Sequence, residues 1–267
     1  MTANSSIVAG PCALDDAEIN MKVATHLKEL GDLLGFEYVF KASFDKANRL
    51  SIQSKRGLGL SSAKPLFMQI RDSLKIQTTT DVHEISQIDL VAEFVDIIQI
   101  PAFLARQTDL IVEAAKTGRI VNIKKAQFMS WQDVILAAEK ARSAGAKEVW
   151  VTERGTMFGY RDLIVDFRNL YEILQTNIKL IFDATHSVQR PGGALTSSAG
   201  DRKYVPTLVA CAAAAGVQNL FFETHPNPDA SISDGMNMIP LSYARTILED
   251  FMSLRDYRAD NSLSDID

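Results

Sequence analysis

Phe36-Glu37-Tyr38-Val39-Phe40-Lys41-Ala42-Ser43-Phe44-Asp45-Lys46-Ala47-Asn48-Arg49 holds the pattern on which the fold reading turns. The apolar run from Phe36 to Phe40 reads as a buried strand. It gives way at once to three cations, a carboxylate and two side-chain hydrogen-bonders. Such density is costly to bury and has little use on a bare surface. It fits a pocket for a small molecule with more than one negative group. Lys41 and Lys46 offer point charges there, and Arg49 a planar fork for phosphate or carboxylate. Taken alone, a solvated basic loop accounts for the stretch as well. The rest of the chain decides between them.

Outward in both directions, short apolar runs alternate with amphipathic stretches. The patterning predicts strands at Ile7–Gly10, Tyr38–Ala42, Lys75–Thr79, Ile97–Pro101, Ile120–Lys124, Glu148–Thr152, Leu180–Ala184 and Leu220–Glu223. Helices are expected between them at Asp15–Leu34, Ser62–Leu74, Ser86–Phe94, Thr108–Thr117, Ser130–Ser143, Asp162–Leu174 and Val205–Ala215. A last one is expected near Leu241–Arg255. Ser130 precedes Trp131, Val134, Ile135 and Ala138 at helical spacing, and Gly145 follows as a terminator. Pro226, Pro228 and Asp234-Gly235 mark a turn-rich loop before the final helix. Eight βα units in 267 residues predict an α/β fold, a single-domain TIM (β/α)8 barrel over 1–258 with a polar tail over 259–267.

Nearly every expected strand ends in a residue that can do chemistry: Cys12, Lys41 with Ser43, Asp81, Gln99, Lys124, Glu153-Arg154, Asp183 with His186, and Glu223. In a parallel barrel these ends gather around one mouth, where barrel active sites sit. Apolar strand bodies with polar ends are more than a structural barrel needs. Lys124, Lys125 and Arg154 join Lys41, Lys46, Arg49 and Arg106 in making the mouth basic, which fits two anionic substrates or one with two phosphates. Strand alternation points Lys125 away from the axis, into a structural role. Between Ser187 and Gly200 runs a Gly/Ser-rich loop long enough for a lid, or for a plain connection.

Cys12, His186, Glu223 and Asp234 bring thiolate, imidazole and carboxylate to the same mouth, a set suited to zinc, iron(II) or manganese. Their wide spacing leaves a small buried cysteine and a hydrogen-bonded core histidine as equal readings. Cys211, inside Val209-Ala210-Cys211-Ala212-Ala213, reads as helix packing. His26 reads as exposed on a helix, and His83 and His225 as capping or supporting groups.

Composition sets limits. Hydrophobic residues make up 46% and charged ones 23%, ordinary for a soluble globular chain. A net charge of −5 gives no general pull toward nucleic acid or an anionic membrane, so any anion must be held locally. There is no secretion-signal pattern at the start and no apolar run able to span a bilayer. Two cysteines in unlike settings fit a reducing cytoplasm better than a disulfide.

Several stretches together resemble one family. They include Ala9-Gly10-Pro11-Cys12, Lys41 to Arg49, Thr79-Thr80-Asp81-Val82-His83-Glu84, Gln99-Ile100-Pro101-Ala102-Phe103 and Lys124-Lys125-Ala126-Gln127-Phe128. Thr152-Glu153-Arg154-Gly155, Phe158-Gly159-Tyr160, Phe182-Asp183-Ala184-Thr185-His186 and Glu223-Thr224-His225-Pro226 follow in order. The chain resembles the 3-deoxy-D-manno-octulosonate 8-phosphate synthases over essentially its whole length. The resemblance implies a transferase that condenses phosphoenolpyruvate with D-arabinose 5-phosphate and water, releasing phosphate, in lipopolysaccharide inner-core sugar biosynthesis. It places phosphoenolpyruvate against Lys41, Ser43, Lys46, Phe103, Lys124, Gln127 and Arg154. The sugar phosphate falls to Asn48, Arg49, Arg106 and Gln189, with Asp81 lining the cavity. It further implies a homotetramer in which Arg49 reaches a neighbouring site. Cys12 matches the metal-dependent branch, with His186, Glu223 and Asp234 completing the ligand pattern, and His186, Cys12, Asp234 and Lys46 taking catalytic parts. The chain departs from the family at Leu50, where serine or threonine usually stands, and at Gln53, Leu58, Ala126 and Ala199.

The rivals are two related synthases, the heptulosonate type and the more distant sialic-acid type, and two proteins of other chemistry. The 3-deoxy-D-arabino-heptulosonate 7-phosphate synthases resemble this chain less, since their Lys-Pro-Arg-Thr stands where it reads Lys46-Ala47-Asn48-Arg49. A Schiff-base aldolase would use Lys41 or Lys124, and a non-enzymatic sugar-phosphate-binding barrel would release no phosphate.

Overall fold

Short strands rich in β-branched and aromatic residues, each followed by a helix, have one economical arrangement: a closed parallel ring under a helical coat. The computed structural model, which describes residues 5–14, 16–49, 51–157, 162–190 and 199–261, has that form. Its strands are β1 (Ser6–Gly10), β2 (Glu37–Lys41), β3 (Gln77–Asp81), β4 (Ile97–Ile100), β5 (Ile120–Lys124), β6 (Val149–Glu153) and β7 (Lys179–Asp183). Next come β8 (Gln189–Arg190), β9 (Ala199–Gly200), β10 (Asn219–His225) and β11 (Ile239–Pro240). β1 to β7 and β10 pair in parallel, and β1 bonds to both β2 and β10, which closes an eight-stranded barrel. β8 and β9 form a separate antiparallel pair, while β11 extends the end of β10.

The coat consists of α1 (Ala17–Leu34), α2 (Leu60–Leu74), α3 (Ile88–Ala92), α4 (Thr108–Lys116), α5 (Trp131–Ser143), α6 (Phe167–Leu174), α7 (Val205–Ala214) and α8 (Ala244–Asp260). Ser130 caps α5 as expected, accepting the amide of Asp133 while Asp133 bonds back to it. The large apolar cluster lies between wall and helices, and a smaller one of Val8, Val39, Ile97, Ile120, Trp150, Ile181 and Phe221 lies apart from it. Through the ladder these seven share one parity, with Val8 paired to Val39 and Phe221, and Ile97 to Ile120. Because strand side chains alternate, the residues two or four further on lie above this second cluster, toward the carboxyl ends. They are Lys41, Gln99, Lys124, Arg154, Asp183 and Glu223.

The two innermost strand ends approach very closely. A Cβ on Gly10 would lie 1.9 Å from the Lys41 carbonyl oxygen, so only glycine fits where β1 hands over to Cys12.

Several boundaries differ from expectation. The third strand runs from Gln77 to Asp81, not Lys75 to Thr79, because Lys75 closes α2 in a left-handed conformation (φ 53°). Its Gln-Thr-Thr-Thr-Asp sequence gave little apolar signal to mark the start. The expected helix from Ser86 is a 3-10 turn, Ile85–Gln87, leading into α3. α6 starts at Phe167, where Asp166 caps it. α8 continues to Asp260, so Ala259 and Asp260 are helical rather than tail, and 262–267 lie outside the described residues. Asp15, Leu50, Phe158-Gly159-Tyr160 and 191–198 of the Gly/Ser-rich loop also lie outside them. Among the described residues, no helix is long and apolar enough to cross a membrane.

Candidate active site

At the carboxyl ends of the strands opens a cavity of about 360 Å³. Lys41, Ser43, Lys46, Asn48, Asp81, Phe103, Lys124, Gln127, Arg154, His186, Gln189 and Asp234 line it, so most of the residues singled out in the sequence share one space. Ala47, His83, Glu84, Gln99 and the 101–104 turn complete the wall. Phe103 lines the cavity while remaining 55% exposed. Cys12 and Glu223 are buried beneath the cavity.

On the β2 side, Lys41 Nζ donates to Ser43 Oγ (2.9 Å) and to the Cys12 carbonyl (3.3 Å). It also stands 3.8 Å from both Asp81 and Glu223. Lys46 Nζ donates to the same Ser43 hydroxyl at 3.1 Å, and that hydroxyl in turn donates to Asp81. Burial alone would lower Lys46; Cys12 and Glu223, then Asp81 and Asp234, outweigh it and hold the ammonium above its ordinary value. Burial likewise pushes Asp81 up, but Lys41 and His83 hold it well below the usual carboxylate range. His83 Nε2 lies 3.0 Å from Asp81 Oδ2, the supporting role expected for it, though His83 also faces the cavity.

Across the mouth, Asp183 is fully buried and joins two site residues. Its Oδ2 accepts from Lys124 Nζ (2.5 Å) and lies 2.7 Å from His186 Nδ1, while Oδ1 accepts the His186 amide (2.9 Å). Burial would raise this carboxyl; His186 and Lys124 outweigh it and hold it well below the usual range. Lys124 is drawn down by burial, against the pull of Asp183, and its ammonium sits 4.0 Å from the Phe221 ring centroid. In the sequence Asp183 reads only as a strand end. Its inward direction, two residues beyond Ile181, was the available signal.

A third line crosses the cavity. Arg154 donates to Gln189 Oε1 (2.7 Å), Gln189 Nε2 donates to Asp234 Oδ1 (2.8 Å), and Asp234 Oδ2 accepts from Ser233 Oγ (2.7 Å) and from Cys12 Sγ (3.3 Å). Burial pulls the Arg154 guanidinium down. For Asp234 burial is again outweighed, by His186 and Lys46, and the carboxyl is held low. Burial pushes the Cys12 thiol well up, with Glu223 adding to the effect.

Cys12, Glu223 and Asp234 present ligand atoms that all lie within 4.8 Å of one another. His186 stands beside this trio rather than within it: its Nε2 is 3.7 Å from Glu223 Oε1, and its Nδ1 is held by Asp183. Both oxygens of Glu223 are buried without a hydrogen-bond donor among the described residues. Two bare carboxylate oxygens beside a thiol, a second carboxylate and an imidazole form a donor set that fits a divalent cation.

Other expectations fare differently. Arg49 is engaged within its own chain, donating to the Lys55 carbonyl (2.9 Å), Ser233 Oγ (3.1 Å) and the Ile232 carbonyl. It therefore braces the segment that carries Asp234. Arg106 lies outside the cavity lining, 3.8 Å from Asp133. Cys211 is exposed, not packed: Val209, Ala212 and Ala213 form the buried face of α7, and a helix this uniformly apolar hid which side faces inward. Both cysteines are free.

The sequence profile of the DAHP synthetase I family matches residues 2–257. Curated relatives named 2-dehydro-3-deoxyphosphooctonate aldolase include one from Rhodopseudomonas palustris, 52% identical over 249 residues, which cover 91% of this chain and 87% of that protein. Those from Bradyrhizobium diazoefficiens and Caulobacter vibrioides are 52% and 49% identical, each over 88% of this chain and over 84% and 82% of their own lengths. A profile that spans the barrel from end to end, over strand ends that converge on one cavity, makes this chain a member of the DAHP synthetase I family.

Proposed function

We propose that the chain condenses phosphoenolpyruvate with D-arabinose 5-phosphate and water to give 3-deoxy-D-manno-octulosonate 8-phosphate, a lipopolysaccharide sugar, and inorganic phosphate. A 2-dehydro-3-deoxyoctonate is the same compound as a 3-deoxyoctulosonate, so the relatives' name points to this product and not to the seven-carbon one. The observation that carries the reading is that Lys41, Lys46, Lys124 and Arg154 share one cavity. They face into it, while Asp183 and Glu223 lie beneath.

Phosphoenolpyruvate lies against Lys41, Ser43, Lys46, Phe103, Lys124, Gln127 and Arg154. The sugar phosphate lies toward Asn48 and Gln189 in the cavity, with Arg49 and Arg106, which stand outside its lining, reaching it on leaving their present partners. The methylene carbon of the enol attacks the sugar aldehyde, and positive character develops at the carbon bearing phosphate. Water adds there, and the hemiketal phosphate collapses with loss of phosphate. Holding both anions at reacting distance removes much of the entropic barrier. Lys46 kept charged and Asp81, Asp183 and Asp234 kept ionised give the pocket fixed dipoles that need no rearrangement as charge moves. Cys12, His186, Glu223 and Asp234 would hold zinc, iron(II) or manganese, which supplies acidification of water or polarisation of the aldehyde. The working form is a cytoplasmic homotetramer in which Arg49 serves a neighbouring site.

Phosphate release is measured with the purified protein, chelated and then resupplied with single metals. Turnover with arabinose 5-phosphate, little with erythrose 4-phosphate, and loss on chelation are expected. Preference for the four-carbon aldose would overturn the substrate. Full turnover after chelation would overturn the metal, and borohydride trapping of a substrate adduct would overturn the imine-free route.

A further inference from the structure

Lys125 is a fully buried cation that neither the cavity nor the reaction uses. Its ammonium donates to the carbonyls of Ala126 (3.2 Å), Met129 (3.2 Å) and Gly155 (3.4 Å) and to Thr156 Oγ1 (3.2 Å). It also stands 3.5 Å from Glu153 Oε1, itself buried. Two of these acceptors belong to the loop that leaves β5, and two to the loop that leaves β6. Glu153 reaches over its neighbour to accept the Gly155 amide at 2.6 Å, and Gly155 holds a left-handed φ of 89°.

Strand pairing does not require this pair, because β5 and β6 are joined through Lys124 and Thr152, with the Lys125 amide adding a bond to Thr152. Stability does not explain it either: a buried ion pair is often matched or bettered by apolar residues of equal volume. What the pair does fix is the spacing of two loops beyond the last ladder bond. One leaves β5 directly after Lys124 and carries Gln127, the other opens with Arg154, and all three side chains line the cavity.

We propose that Lys125 and Glu153 are positioning residues for phosphoenolpyruvate, a buckle behind the barrel wall that sets the distance between Lys124 with Gln127 and Arg154. The assignment rests on the reading above that places phosphoenolpyruvate against those three side chains. Misplacement by about 1 Å costs up to about 100-fold in rate. Lys125→Met should therefore lower kcat/KM about 10- to 100-fold, with KM rising for phosphoenolpyruvate and holding within about twofold for the aldose phosphate. Glu153→Gln keeps an acceptor for the Gly155 amide and serves where Lys125→Met does not fold; it should show the same split, smaller. Lys125→Met with Glu153→Gln leaves no buried unpaired charge and should recover the unfolding midpoint but not the phosphoenolpyruvate KM.

Calorimetric titration with phosphoenolpyruvate alone provides the second readout. Variants that unfold early but bind phosphoenolpyruvate as the wild type does would make the pair merely structural and overturn the proposal. Equal rises in both KM values would do the same. Wild-type protein that binds no phosphoenolpyruvate would overturn the underlying reading, and this proposal with it.

Discussion

Asp183→Asn is the most informative single change, because one side chain there holds two cavity residues, Lys124 and His186, at once. Asp183 Oδ2 faces Lys124 and His186 Nδ1, and Oδ1 faces the His186 amide and Thr185 Oγ1. Asparagine fits the space but offers only one acceptor. With its carbonyl toward Lys124, its NH2 meets the His186 amide, donor against donor. Turned the other way, Lys124 loses its partner. A hydrogen bond to a charged group is worth about 1.5–3 kcal/mol, and leaving one member of a buried pair alone costs about 3–5 kcal/mol. Urea unfolding at neutral pH should therefore show a loss of about 3 kcal/mol or more. His186 would also lose the carboxylate that fixes its ring, which typically weakens metal binding about 10- to 100-fold. Competition against a chromophoric chelator, with no substrate present, reads that loss directly. An Asp183→Asn protein with wild-type unfolding and wild-type metal affinity would refute the coupling.

Gly10→Ala drives a Cβ to 1.9 Å from the Lys41 carbonyl oxygen, so β1 and β2 must part at the mouth. It should destabilise by about 1–3 kcal/mol or more and lower turnover in the protein that remains folded, measured by urea unfolding and phosphate release. Acid titration of the unfolding midpoint tests the buried carboxylates. Asp81, Asp183 and Asp234 are all held lower when folded than when unfolded, so their stabilisation is fully present above about pH 4 and fades as pH falls further. A midpoint that stays flat from neutrality down to about pH 3 would contradict this. Thiol titration should find Cys211 reactive in the native protein and Cys12 silent until unfolding, since Cys12 is buried with its thiol pushed up. Two fast thiols would place Cys12 elsewhere.

How far the sequence reached follows from what each signal encodes. Period-2 alternation and apolar runs are local, so the barrel and its strand ends could be read in β2, β5 and β10, where Phe, Val and Ile carry the pattern. They failed at β3, where three threonines and a glutamine look like loop and burial comes only from the closed ring. Strand parity alone sets Lys125 apart from Lys124, and Lys125 lies outside the cavity lining, bonded to the Met129 and Gly155 carbonyls. The partners of Asp183 and the engagement of Arg49 with Ser233 could not be read. They join segments far apart along the chain, and no short-range pattern records which inward residues meet. Cys211 failed for the opposite reason, since α7 is too apolar for its faces to be told apart.

Three costs fall on the same few residues. Cys12 and Asp234 hold left-handed backbones, with φ of 68° and 51°, and among the described residues the only other non-glycine at positive φ is Lys75. Such conformations cost about 1–3 kcal/mol each and persist where surrounding structure over-determines them. Among the described residues, neither buried oxygen of Glu223 accepts a hydrogen bond, and Lys41 Nζ stands off at 3.8 Å. Burial raises the Cys12 thiol well up, against its ionised form. Cys12 Sγ meets the Asp234 carboxylate at 3.3 Å, and Glu223 comes from the adjoining strand end, paired with Gly10, so the strained residues converge on one point. A cation among those atoms would satisfy the bare carboxylate and deprotonate the thiol in one event, offsetting the costs together. A hydrogen-bond donor entering the same space would leave the thiol protonated, so the donor set of Cys12, Glu223 and Asp234, with His186 beside it, suits a divalent cation better than a neutral occupant.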